Sequence, residues 1–63
     1  MKNKVKYYRE LKSWSQEELA ERSNVSRTTI SGFENGSIKV TTNTTMDKIA
    51  EALGVSTIEL FYT

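Results

Sequence analysis

The stretch Ser15 to Gly36, SQEELAERSNVSRTTISGFENG, constrains this chain more than any other, because it holds two helix starts and a chain reversal within 22 residues. Ser15 followed by Glu18 fits a Ser-x-x-Glu capping box, in which each side chain takes one free backbone N–H at a helix start. Ser26 followed by Thr29 opens a second helix less strongly. Between them lies Ser23-Asn24-Val25, and asparagine is the non-glycine residue best suited to the left-handed conformation of a sharp helix exit. The turn is therefore predicted at Asn24. Leu19 and Ala20 before it, Val25 within it, and Ile30 and Phe33 after it supply one inward face, and the small Ala20 lets the two helices cross closely.

Two capped helices joined by three or four residues form a helix-turn-helix, whose second helix can enter the major groove of DNA. The wording SQEELAERSNVSRTTISGFENGS closely resembles the phage-repressor and Cro-type (XRE-like) helix-turn-helix family. The resemblance continues through KIAEALGVSTIELF, residues 48–61, and so covers nearly the whole chain. It implies an all-α, lambda-repressor-like domain of five short helices that binds double-stranded DNA, with the helix-turn-helix at about 16–35.

Sixty-three residues allow one small domain, and a chain of this size buries only about 60% of its unfolded surface. The absence of Cys and His removes disulfides, thiolate metal sites and the usual general base, and no cofactor is expected. The acidic residues lie singly along helix faces, so no nucleophile, base and orienting group can be assembled, and an enzyme is not predicted. No stretch reaches signal-peptide character or the roughly 18 apolar residues of a membrane span. A soluble, unexported protein is expected, without membrane or small-molecule partner, and a reducing cytoplasm suits its composition.

The formal charge of +1 conceals a segregation. Residues 1–12 carry Lys2, Lys4, Lys6, Arg9 and Lys12 against Glu10, a balance of +4, while the rest carries four cations against seven acids, a balance of −3. Charge position matters more than its sum for steering a polyanion. The lysines near the N-terminus read equally as a solvated helix end and as phosphate contacts.

Val5, Tyr8, Leu11 and Trp14 recur at three-residue steps and predict helix 1 over Lys2 to Lys12, with Tyr8 inward and Tyr7 at the edge. Trp14, just before the Ser15 cap, is placed as a hydrophobic staple across the helix start. The family resemblance pairs Arg9, late in helix 1, with Glu34 of the Glu-Asn-Gly that ends the recognition helix. That helix is predicted from Arg27 to Asn35, capped by Ser26 and stopped by Gly36.

On the recognition helix, base readout is assigned to Arg27, Thr28, Thr29 and Gly32. Arginine presents two parallel donors to guanine, and threonine offers a hydroxyl and a methyl. Thr29 has a competing role at the helix N-terminus. Gly32 departs from the family pattern, which often places a long polar side chain there. The glycine is expected either to bring the helix nearer the bases or to remove one contact. Gln16, Ser26, Asn35, Ser37, Lys39 and Thr41 are assigned to the DNA backbone, as the resemblance implies.

The polar, β-branched run from Ser37 to Thr45 reads as a loop, with Thr42 or Thr44 capping a fourth helix whose face is Met46, Ile49, Ala50 and Leu53. Gly54 ends it, and Ser56 opens a short fifth helix carrying Leu60 and Phe61. Ile58 and Tyr62, four residues apart, are expected to share an outward face serving a two-fold dimer, formed in solution or only on DNA, over a palindromic operator. The expectation is a small repressor or Cro-like regulator, since 63 residues leave no room for a sensor domain. An antitoxin of the same fold and a protein-interaction module that has lost DNA binding are the alternatives.

Overall fold

Short polar side chains set where the helices begin. In the computed structural model, which describes residues 3–38 and 42–62, the Ser15, Ser26, Thr42 and Ser56 side chains each accept a backbone N–H from three residues ahead. This satisfies one of the donors that every helix start leaves unpaired. The described elements are α1 (Val5–Leu11), α2 (Gln16–Ser23), α3 (Arg27–Asn35), α4 (Asn43–Leu53) and α5 (Thr57–Phe61). The architecture is all-α.

Three of the exits use the left-handed conformation, at Asn24 (φ 60°), Gly36 (φ 87°) and Gly54 (φ 75°). A fourth positive φ, 60° at Ser13, turns the chain between α1 and α2 and carries no local signal, since serine rarely adopts it. The reciprocal capping box predicted at Ser15 forms only by half. Glu18 pairs with Arg22 one turn later, and the complete box is at Ser56 and Glu59.

α2 packs against both α3 and α4, α1 against α3 and α4, and α5 against α4. The enclosed core consists of Val5, Leu19, Val25, Ile30, Phe33, Met46, Ile49, Ala50, Leu53, Leu60 and Phe61. The rings of Phe33 and Phe61 meet at 5.2 Å. Tyr8 is half-buried against this core and Tyr7 exposed.

The chain also differs from its sequence-based reading at the start of helix 1, at Leu11 and at the start of α4. Helix 1 begins at Val5, where the Asn3 side chain accepts the Val5 N–H; the same side chain donates to the Phe33 carbonyl at 3.0 Å, joining α1 to α3. Leu11, expected on the core face, is 64% exposed, because the chain turns away at Lys12 and Ser13 and Trp14 reaches the core from the turn. Arg22 lies 4.5 Å from the centre of the Trp14 ring. Finally, Asn43 to Thr45, expected in the loop, form the first turn of α4 once Thr42 caps it.

The Ser23 hydroxyl oxygen is buried and finds no hydrogen-bond partner among the described residues. An unpaired buried polar group carries its desolvation penalty with no compensation. Ser23→Ala is therefore expected to raise stability by about 1 kcal/mol, read as a higher urea midpoint at unchanged slope. An unchanged or lower midpoint would show that the hydroxyl is satisfied.

Among the described residues no helix is long and apolar enough to cross a membrane.

Candidate nucleic-acid interface

The start of α3 separates engaged side chains from free ones. Ser26 accepts the Thr29 N–H at 3.2 Å, and its own hydroxyl donates to Thr29 Oγ1 at 2.9 Å. Both residues assigned from sequence to DNA contact thus complete the helix N-terminus. Arg27 and Thr28 are exposed and make no hydrogen bond with any described residue. Ile30 and Phe33 anchor the opposite face in the core.

Along its outer face α3 forms a shallow depression lined by Arg27, Thr28, Ser31, Gly32, Asn35 and Ser37. Five of these were assigned to DNA contact from sequence, and the fold brings them together and adds Ser31. Helical spacing is the signal for it: Ser31 stands four residues after Arg27, three after Thr28 and four before Asn35, on one stripe. Asn35 Oδ1 accepts the Ser37 N–H at 2.9 Å, which fixes the exit of the helix and leaves the Asn35 amide N–H groups outward. Arg27 also borders a depression along α2 with Ser15, Glu17, Glu18, Ala20 and Glu21, so carboxylates stand on one side of it.

Gly32 requires correction. It has no side chain to read a base, and its backbone is buried. A Cβ built there would stand 2.5 Å from Ile38 Cδ1 and 2.7 Å from Ile38 Cγ1. The Gly32 carbonyl also accepts the Ile38 N–H at 3.0 Å. The glycine is a seat for Ile38, which folds the segment after α3 back onto the helix. Glycine inside a helix ordinarily costs about 1 kcal/mol relative to alanine. Gly32→Ala is expected to forfeit that gain here, because Ile38 must move, and to recover it in an Ile38→Ala background. A thermal-denaturation cycle should show a coupling of about 1 kcal/mol; additive effects would mean that the two residues do not meet.

Behind the helix, Arg9 Nε and Nη2 donate to Glu34 Oε2 and Oε1 at 2.7 and 2.9 Å, a two-point pair whose side chains are 11% and 5% exposed. Arg9 Nη1 donates to the Trp14 carbonyl at 2.6 Å. Gln16, assigned from sequence to the DNA backbone, donates through Nε2 to Glu34 Oε1 at 3.0 Å. One carboxylate therefore joins α1, α2 and α3. Burial alone pushes the Glu34 carboxyl up, but hydrogen bonds from Arg9 and Gln16, with the charges of Arg9 and Lys6, hold it below its ordinary value. The hydrogen bond to Glu34 raises the Arg9 guanidinium against the opposing effect of burial.

Lys39 and Thr41 lie outside the described residues. Ile58 and Tyr62 are 65% and 61% exposed on α5 and at its end. Among the described residues no group of three or more His, Cys, Asp or Glu is placed to hold a metal ion.

Residues 5–60 match the Helix-turn-helix family. The chain belongs to that family. This helix-turn-helix chain is 43% identical over 61 residues to an uncharacterized HTH-type transcriptional regulator of Methanocaldococcus jannaschii, covering 97% of itself and 91% of the relative. Among solved structures it resembles SinR in the SinR/SinI complex, with TM-score 0.87 and 29% identity, over 94% of this chain and 57% of that one. It also resembles SinR in complex with DNA, with TM-score 0.82 and 30% identity, over 86% of both chains. A hypothetical transcription factor, NHTF from Neisseria, aligns with TM-score 0.80 and 35% identity, over 90% of this chain and 64% of that one. The helix-turn-helix chain thus spans under two thirds of two of these structures.

Proposed function

We propose that this chain is a DNA-binding transcriptional regulator that inserts α3 into the major groove of duplex DNA as a small repressor in the cytoplasm. The observation that carries the reading is the start of α3, where Arg27 and Thr28 stand exposed, with no hydrogen bond to a described residue, on a helix whose far side is pinned in the core. The SinR neighbour in complex with DNA supports it. Arg27 reads a guanine edge and Thr28 a base or phosphate, while Ser37 and Asn35 face the backbone. Gln16 holds Glu34 through its amide nitrogen, which leaves its second N–H to donate to a phosphate and its carbonyl oxygen to accept from a bridging water.

A single recognition helix reads few base pairs, and two-fold pairing doubles the site, with half-sites about 34 Å apart. We assign the pairing surface to Ile58 and Tyr62, both exposed at the C-terminal end. The test is titration of duplex pools from about 50 to 200 mM salt, followed by selection from random sequence. Affinity should fall with a slope of about −0.9 per phosphate neutralised, and a palindrome should be selected. Absence of duplex binding at low salt refutes the reading. In the same assay Ile58→Glu should abolish the preference for palindrome over half-site; an undiminished preference places the dimer contact elsewhere.

A further inference from the structure

The second turn of α3 holds a polar group that the readings above leave without a task. Ser31 lies on the outer depression between Thr28 and Asn35, half-buried, and its hydroxyl makes no hydrogen bond with any described residue. The neighbouring hydroxyls behave differently. Those of Ser26 and Thr29 bond to each other, and that of Ser37 points 3.5 Å from the Gly32 carbonyl. Serine is short and reaches a base edge only if its backbone comes close to the groove floor. Next to it stands Gly32, whose Cβ direction is filled by the Ile38 side chain. The bulk beside Ser31 is therefore the Ile38 side chain, and any gap left between the serine hydroxyl and a base edge is one that a single water can bridge.

We propose that Ser31 is a specificity-determining residue of this interface, reading one base pair of each half-site from the outer stripe that it shares with Arg27, Thr28 and Asn35. The inference rests on the DNA-binding reading and adds the residue that discriminates at the second turn. A hydroxyl both donates and accepts, so it can serve purine N7 or O6 as well as an exocyclic amine, directly or through one water.

The experiment compares wild type, Ser31→Ala and Ser31→Gln by selection from random duplexes, by affinity for the selected wild-type site and its single-base variants, and by thermal denaturation. The expected result is that Ser31→Ala loses about five- to tenfold of discrimination at one position of each half-site and keeps the others. Its melting temperature and its affinity for random duplex should stay at the wild-type values. Ser31→Gln should select a different base at that same position, since glutamine pairs with adenine through two hydrogen bonds. If wild type selects no sequence, the DNA reading itself fails. Two outcomes sink only the inference: selection by wild type and Ser31→Ala that is identical at every position, and an alanine variant that weakens all duplexes alike with a shallower salt slope, as a phosphate contact would.

Discussion

Replacing Arg9 with methionine while Glu34 remains should lower the stability of the domain by about 3–5 kcal/mol, which approaches the whole stability of a chain this small. The Glu34 carboxylate would keep its burial, 5% exposed, and lose both hydrogen bonds from Arg9, keeping only the one from Gln16 to offset the cost of leaving water. The Trp14 carbonyl would lose its donor as well. Glu34→Leu alone should be comparably damaging, because it strands the guanidinium. The paired change to methionine and leucine should cost clearly less than the sum of the two, since replacing both members of a buried pair by apolar groups removes the desolvation penalty with the attraction. Chemical denaturation of the four proteins settles the matter, and additive losses would mean that each side chain acts independently.

The same pair sets an acid limit. A carboxyl whose folded value lies below its ordinary 4.5 contributes stability that is complete above 4.5 and is lost as pH falls toward the folded value. Stability measured from neutral pH downward should hold until about that point and then decline, and Glu34→Gln should flatten the acid limb.

Arg27→Ala should raise the dissociation constant on the selected site by roughly 5- to 150-fold, the equivalent of about 1–3 kcal/mol for a two-point contact with guanine. Fold stability should not change, because the side chain is exposed and makes no hydrogen bond with the described residues. The loss should be confined to the guanine-containing site, with random duplex affected by about one unit of salt slope at most. Glu17 and Glu21, which border the same depression as Arg27, sharpen the test. In the variant that depression keeps its carboxylates and loses the cation, so their repulsion of phosphate should add a loss that Glu17→Gln partly restores. A sequence preference identical to wild type would remove Arg27 from base readout.

Much of the fold is legible in local chemistry alone. Ser15, Ser26, Thr42 and Ser56 cap helices because a short hydroxyl reaches an N–H three residues on, and that geometry is contained in four consecutive residues. Asn24, Gly36 and Gly54 end helices for an equally local reason. The apolar spacing of Met46, Ile49, Ala50 and Leu53 marks a buried face, since helical periodicity is a property of the segment itself. Arg27 and Thr28 fall at the start of the recognition helix on the same basis.

What tertiary structure alone decided are the encounters between distant residues. Leu11 matches the core spacing of helix 1, but whether it is covered depends on where the chain turns, and Ser13 takes it away from the core. Gln16 stands at a helix start facing outward in sequence terms, yet a carboxylate 18 residues away claims its amide. Asn3 bonds across to Phe33 over 30 residues. Gly32 looks like a weak point in a helix until Ile38 is seen to occupy the space where its side chain would begin. Propensity, capping and periodicity act over one or two turns and so are written in the order of residues, whereas burial and hydrogen-bond partnership depend on which surfaces the packed helices bring together.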